Sequence, residues 1–362
     1  MLTRAFTGFH GPLWALTAAS GVPARHRGHL VTFSLLSVAI HSQGVGRRAY
    51  RGPVTSSDSL RVSPQLVSPL VSTQWLADHL GSESILVIDA TVRSRPLPGG
   101  GLEWVSGLSQ FRSGHVPGAV FADLLRDFSA PSGDFTRPSP ERFAAAAATL
   151  GIDDETTLVI YDDSIGVWAA RLWWLLHSAG YERVAVLDGG FAAWSDEQRP
   201  VERGEGAATL VVPVAPPAAV TALREPLWSG KSDVERVVRG ETDAVLLFAG
   251  SRAIFDGTAD DALSPVTRAR PGHIPGSVHV PVAGLIDPAS HRLLRPAGLR
   301  ERFAPVLGRR SSVPIITYCT SGIEASLAAL ALSVLGVAEV SVYDGSLAEW
   351  SADPAAPLVT AA

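Results

Sequence analysis

Cysteine is nearly absent from this chain, in which Cys319 is the one thiol among 362 residues. A single thiol excludes an intramolecular disulfide and a cysteine-rich metal cluster, and it favours a reducing, cytoplasmic setting. Lysine is as scarce, since Lys231 is the only one and arginine carries almost all of the positive charge. The net charge of −5 gives no reason to expect a nucleic-acid partner.

Acidic residues and long apolar runs are both missing from the N-terminal part. No Asp or Glu precedes Asp58, and the longest apolar run there, residues 30–40, is shorter than the roughly 20 residues that cross a bilayer. We therefore expect no membrane association. Residues 1–69 are interpreted as an extension that is either disordered or lies before the true start of translation. The second interpretation is considered because Met1 is the only methionine. A targeting segment, typically rich in arginine and poor in acid, is the alternative.

From residue 70 onwards, apolar strands alternate with helical segments. Residues 85–89, 157–161 and 184–187 are short runs rich in branched residues, which is typical of buried strands. Tryptophan and leucine at helical spacing follow the second of these runs. This alternation predicts an α/β fold whose mainly parallel sheets are flanked by helices.

Three motifs occur twice in the same order, at separations of 158, 157 and 156 residues. The pairs are Gly-His-Val-Pro-Gly at 114–118 with Gly-His-Ile-Pro-Gly at 272–276, Leu-Val-Ile-Tyr-Asp at 158–162 with Ile-Ile-Thr-Tyr-Cys at 315–319, and Asp-Gly-Gly-Phe-Ala-Ala-Trp at 188–194 with Asp-Gly-Ser-Leu-Ala-Glu-Trp at 344–350. Separations that agree so well indicate a tandem duplication of one α/β domain. We predict a first domain over residues 70–199, a proline-rich linker over 200–225 and a second domain over 226–358.

Features present in both copies are interpreted as requirements of the fold. His115 and His273 occupy the same turn motif, so a structural role is favoured for both. Cys319 occurs in the second copy only, and Asp162 stands at its position in the first. A core position would hardly alternate between a thiol and a carboxylate, since an unpaired buried carboxylate is costly. Both positions are therefore expected in a loop that faces solvent or a cleft.

Cys319 lies between an apolar strand, residues 314–318, and an Ala- and Leu-rich helix predicted over residues 324–335. Backbone N–H groups converge at such a junction and the helix dipole is positive there, which lowers the pKa of a thiol. An ordinary thiol is only about 3% ionised at pH 7. The position therefore favours a reactive thiolate, with a buried, inert thiol as the alternative.

Taken together, these motifs resemble the two-domain rhodanese family of sulfurtransferases over residues 70–355. The resemblance rests on the paired His-Pro-Gly type turns, the strand–cysteine–loop–helix, the closing motif at 343–350, and Arg171 with Trp173 and Trp174. In that family the N-terminal domain has lost its cysteine. The C-terminal cysteine takes sulfur from a donor, becomes a persulfide and passes the sulfur to a thiophilic acceptor.

The loop Cys-Thr-Ser-Gly-Ile at 319–323 is similar to the Cys-Gly-Ser-Gly-Val pattern of members that use 3-mercaptopyruvate. The resemblance implies that 3-mercaptopyruvate, or else thiosulfate, is the donor, and that no cofactor or metal is needed. It implies cyanide, a small thiol or a protein thiol such as thioredoxin as the acceptor. The implied catalytic residues are Cys319, Ser321 and His115, the last two as a proton relay. The implied substrate-binding residues are Thr320, Gly322, Ile323, Glu324, Ala325, Arg171, Arg268 and Arg270.

Two positions depart from the family pattern. Ile254 replaces an arginine that holds the donor's carboxylate, and Arg252, Arg268 or Arg270 are candidates to compensate. Glu324 replaces a loop serine or threonine. A carboxylate close to the thiol would raise its pKa and repel an anionic donor. Alternatively, Glu324 favours the dipole of the helix's first turn and points away from the thiol.

Two other functions are alternatives to sulfur transfer. A cysteine phosphatase uses the same loop-and-helix design, but it needs an arginine where this chain has Ala325. The remaining alternative is a catalytically weakened sulfur-relay or binding module, which the loss of the arginine at Ile254 would suit.

Overall fold

The computed structural model describes residues 65–98, 101–132, 135–206, 223–258, 270–308 and 313–361. Most of the predicted N-terminal extension and of the predicted linker, together with Arg268, lies outside these ranges. Within them, no helix is both long and apolar enough to cross a membrane.

The first half of the described chain builds a parallel sheet with helices around it. Its strands are β1 (Leu70–Val71), β2 (Ile85–Asp89), β3 (Val92–Pro96), β4 (Leu102–Ser106), β5 (Val120–Phe121), β6 (Thr157–Tyr161) and β7 (Val184–Leu187). Its helices are α1 (Thr73–His79), α2 (Leu108–Ser113), α3 (Pro140–Thr149), α4 (Val167–Ser178) and α5 (Gly190–Asp196). The sheet has the order β1-β7-β6-β2-β5, and β3 and β4 form a separate antiparallel hairpin.

The second half repeats this arrangement. Its strands are β8 (Trp228–Ser229), β9 (Val245–Phe248), β10 (Val278–His279), β11 (Ile315–Tyr318) and β12 (Val340–Tyr343). Its helices are α6 (Lys231–Val238), α7 (Arg252–Phe255), α8 (Pro296–Arg302), α9 (Ala304–Leu307), α10 (Ile323–Val334) and α11 (Ser346–Ala352). The strand order β8-β12-β11-β9-β10 is that of the first sheet, strand for strand. The predicted duplication of a parallel α/β domain is therefore confirmed.

Helices α4 and α10, which follow the central strands β6 and β11, pack against each other between the two sheets. Every residue of α4 except His177 is buried, and α10 is buried over most of its length. A helix enclosed on most sides has no continuous polar face, which explains why both sequences are mainly apolar. One hydrophobic core accordingly runs through both domains. This packing brings together the two loops that precede α4 and α10.

The first residues of the predicted linker return to the first domain. Glu202 forms an antiparallel bridge with His115, its N–H and C=O each bonding the histidine backbone at 2.9 Å. At the end of the second domain, Val359 makes the same bridge with His273. The two turn motifs therefore close both domains in the same way.

Candidate active site

Cys319 directly follows the central strand β11 of the second domain, and α10 begins four residues later. The turn between them needs Gly322, which has a left-handed φ of 82° and caps the helix. A Cβ at this glycine would lie 2.9 Å from the carbonyl oxygen of Asp344. The strand end and this tight turn together fix the thiol beneath the N-terminus of α10.

The thiol faces a ring of backbone donors. The N–H of Gly322 lies 3.1 Å from Sγ, and the N–H groups of Ser321 and Ala325 also point at the sulfur. On its other side, the backbone N–H of Cys319 donates to Oγ of Ser346 at 3.3 Å. A negative charge on the sulfur would therefore meet three preorganised donors.

The pKa of the resting thiol is nevertheless raised, to about 11, and not lowered as its position predicted. Burial is the largest cause, because Cys319 is only 1% exposed and burial disfavours the charged form. The charge of Glu324 is the second cause, and the surrounding N–H groups act in the opposite direction. Glu324 therefore raises the pKa of the thiol, as expected for a carboxylate that lies close to it.

The equivalent loop of the first domain surrounds a carboxyl group, that of Asp162, with backbone N–H donors. Both carboxylate oxygens of Asp162 accept backbone N–H groups, from Ser164 and Gly166 on Oδ1 and from Trp168 and Ala169 on Oδ2, at 2.8–3.1 Å. Of the two expected settings, solvent or a cleft, solvent is excluded, since Asp162 is fully buried and Cys319 nearly so. A buried carboxylate is tolerated there because four donors satisfy it.

A cavity of about 480 Å³ opens above the Cys319 loop, between the two domains. Four of the predicted site residues line it, namely Thr320, Ser321, Ile323 and Glu324. The other residues that line it are Val92, Arg93, Ser94, Trp104, Phe135, Asp163, Ser164, Ile165, Val167, Trp168, Ser251 and Ile254. The volume falls in the range of roughly 300–1,000 Å³ that is usual for small-molecule sites.

Arg171 is close to the loop but engaged in holding the domains together. Its Nη2 donates to Oδ1 of Asp344 at 2.7 Å and to the carbonyl of Phe135 at 2.8 Å, and its side chain is only 2% exposed. The guanidinium also lies over the ring of Trp228, 5.2 Å from its centroid. Arg171 thus ties the first domain to the second behind Gly322, and it does not line the cavity.

The structure places Arg270 away from the cavity. Its guanidinium donates to the backbone carbonyls of Ser351, Asp353 and Ala356, at 2.8–3.0 Å. These bonds fasten the segment after α11. Arg252, the third arginine considered as a replacement at Ile254, is exposed and pairs with Asp256 at 2.7 Å.

His115 is not brought to the cavity either. Its ring stacks on Phe111, with 3.9 Å between ring centroids, and Nδ1 lies 2.7 Å from the carbonyl oxygen of that residue. His273 repeats this arrangement on Phe255, at 3.6 Å and 2.7 Å. Equal surroundings in both copies fit the structural role that the repeat favoured.

Arg93 is the site residue that the motifs missed. It lies on the hairpin β3–β4, and among the described residues that line the cavity it is the only Arg or Lys. A signal was present in the sequence, because Arg93 follows the carboxyl end of β2, the edge at which parallel sheets bind ligands. Its counterpart in the second copy is Arg252, 159 residues further on, and neither arginine belongs to the three repeated motifs.

A family model of the rhodanese-like domain matches residues 72–197 and 247–353. The chain belongs to the rhodanese-like family. It is a two-domain sulfurtransferase, in keeping with the two sheets of identical order.

Curated relatives cover most of this chain. It is 34% identical to 3-mercaptopyruvate sulfurtransferase of Escherichia coli K12 over 286 residues. The aligned region covers 78% of this chain and 94% of the relative. The human 3-mercaptopyruvate sulfurtransferase is 31% identical over 299 residues, with coverages of 80% and 93%. Among solved structures, SseA from Escherichia coli superposes with a TM-score of 0.64 at 30% identity, over 77% of this chain and 98% of that one.

Proposed function

We propose that this enzyme takes sulfur from 3-mercaptopyruvate, carries it on Cys319 as a persulfide and passes it to a thiol. The observation that carries this proposal is a single thiol, ringed by backbone donors, beneath a cavity that both domains line. The relatives named for 3-mercaptopyruvate support the choice of donor. Thiosulfate is the alternative donor.

The sulfur transfer is a nucleophilic displacement at the donor's sulfur. The Cys319 thiolate forms an S–S bond to that sulfur while the C–S bond of 3-mercaptopyruvate breaks, and its electron pair leaves on carbon as the enolate of pyruvate. The enolate takes the proton from the new persulfide, so the products are pyruvate and the Cys319 persulfide anion. Attack by an acceptor thiolate on the outer sulfur then restores the Cys319 thiolate. A small thiol or a protein thiol such as thioredoxin is the proposed acceptor.

The persulfide anion is held by the N–H groups of Ser321, Gly322 and Ala325. Asp162 supports this role, because the equivalent loop of the first domain already holds a carboxyl group with four backbone donors. The added sulfur also moves the negative charge outwards from the buried Sγ towards the cavity. Stabilising the persulfide more than the resting thiolate favours sulfur loading.

The proton of Cys319 must leave before the thiolate can attack. A thiol with a pKa of about 11 is protonated at neutral pH, whereas an ordinary free thiol such as the donor's titrates near ~8.5. At neutral pH the donor enters mainly as the neutral thiol, which is the form that Cys319 attacks, and the proton of Cys319 passes to solvent in the cavity. Ser321 is the proposed carrier of this proton, which its position in the lining of the cavity supports, and His115 is left out of the proposal because it does not line the cavity.

The cavity suits a keto acid better than thiosulfate. The loop offers neutral Thr320 and Ser321 to the donor, and Glu324 places a carboxylate beside them. Thiosulfate carries two negative charges in a small volume, so it meets more repulsion from Glu324 than a donor whose single carboxylate lies remote from its sulfur.

The test is to expose the protein and a Cys319→Ser variant separately to 3-mercaptopyruvate and to thiosulfate. We expect a mass increase of one sulfur atom and release of pyruvate from the wild type with 3-mercaptopyruvate, and neither from the variant. The raised pKa of Cys319 favours one second candidate, a relay that accepts sulfur only from another protein's persulfide. That candidate replaces the proposal if neither small donor loads Cys319 and a protein persulfide does.

A further inference from the structure

Arg93 is the only Arg or Lys among the described residues that line the cavity. The family arginine before Phe255 is replaced by Ile254, an apolar side chain that is 9% exposed and lines the same cavity. The position of Ile254 therefore offers a carboxylate nothing but van der Waals contact. Arg93 approaches the cavity from the other domain, on the hairpin β3–β4.

The guanidinium of Arg93 is only loosely held. Its Nη1 lies 3.3 Å from Oδ2 and 3.4 Å from the backbone oxygen of Asp163, both at the long end for such bonds. The Arg93 side chain is 49% exposed, and partly exposed pairs of this kind contribute about 0–1 kcal/mol. Exchanging this contact for another carboxylate therefore costs little.

Both of these bonds use Nη1, so Nε and Nη2 remain for a ligand. Two parallel N–H groups match the two oxygens of a carboxylate, and this bidentate geometry is the strongest that arginine offers. Asp163 belongs to the loop after Asp162, which faces the Cys319 loop across the cavity. A carboxylate held there leaves the other end of a short donor directed at the second domain.

From these contacts we propose that Arg93 is the residue that binds the carboxylate of the sulfur donor, in place of the arginine lost at Ile254. This inference rests on the proposed function, because it assumes a keto-acid donor. Carboxylate recognition is thereby moved from the domain that carries the nucleophile to the domain that has lost it. Both domains must then be present for the donor to be held.

The test measures pyruvate release from 3-mercaptopyruvate by Arg93→Gln, with Arg95→Gln as the matched control. Arg95 lies on the same strand and pairs with Glu103 at 2.5 Å, but it does not line the cavity. We expect the KM of Arg93→Gln to rise about tenfold while kcat changes little, since a charge-assisted bond is lost in binding. Arg93→Lys should restore part of the loss, and Arg95→Gln should behave as the wild type.

A second donor separates carboxylate binding from a general disturbance of the hairpin. Mercaptoacetone has a methyl group where 3-mercaptopyruvate has its carboxylate, so Arg93→Gln and the wild type should load sulfur from it equally well. Equal KM values for Arg93→Gln and Arg95→Gln, or an equal loss with both donors, would overturn the assignment. Failure of the wild type itself to release pyruvate would instead refute the proposed function.

Discussion

The charge of Glu324 is expected to hold back ionisation of Cys319, and the variant Glu324→Gln tests this. The pKa of the thiol is raised from 9.0 to about 11, with burial as the larger cause and Glu324 as the next. Like charges at separations of ~4–6 Å repel by roughly 1–4 kcal/mol when partly screened, and the lower end of this range corresponds to about one pKa unit. Since burial has the larger share, we assign about one unit to Glu324.

Removing that charge without changing the side chain's size should lower the pKa of Cys319 to roughly 10 and raise its thiolate fraction about tenfold near pH 8. The thiolate is followed by its ultraviolet absorbance during a pH titration, and by the pH dependence of its alkylation. Because Cys319 is the only cysteine, both signals come from one group.

Glu339→Gln is the matched control, because it removes the same charge from an exposed position of the second domain. If Glu324→Gln and Glu339→Gln give the same thiol pKa as the wild type, Glu324 exerts no significant field on the sulfur. Burial alone would then account for the high pKa. A matching fall in both variants would indicate a general effect of net charge.

Two further predictions concern stability. Arg171→Met leaves the carboxylate of Asp344 without its buried partner, so the free energy of unfolding measured in urea should fall by about 3–5 kcal/mol. Adding Asp344→Asn to this variant should recover part of the lost free energy. No recovery would contradict the pairing. Burial raises the pKa of Asp89 from 3.8 to about 6, so its contribution to stability is full below about pH 4 and is lost as the pH rises through 6. Asp89→Asn should therefore gain up to about 3 kcal/mol relative to wild type between pH 4 and 7; an unchanged difference at both pH values would refute this.

Several expectations about the site depended on what surrounds each residue. Arg171 and Arg270 were expected to bind substrate, and both are instead committed to contacts within the protein. A guanidinium is equally suited to a ligand's carboxylate and to a buried Asp or carbonyl, so residue type alone cannot separate the two roles. His115 was the opposite case, since its repetition as His273 was informative before its surroundings were known.

The fold, the duplication and the proposed nucleophile all follow from the sequence. Strand and helix periodicities are local properties, and two copies at nearly constant separation reveal the one chemical difference between them, Cys319 against Asp162. Comparison of the two copies is enough to identify this thiol as the candidate nucleophile, and no coordinates are needed for that step.

The ionisation of that thiol and the composition of the cavity around it, in contrast, depend on how the two domains pack. Burial depends on how α4 and α10 enclose the two loops, so the fall in thiol pKa expected from the strand–helix junction became a rise to about 11. Arg93 joins Glu324 at one cavity although the two are far apart in sequence and belong to different domains. Electrostatic energies depend on distance and solvent exposure, and both quantities are set by the packing of the two domains.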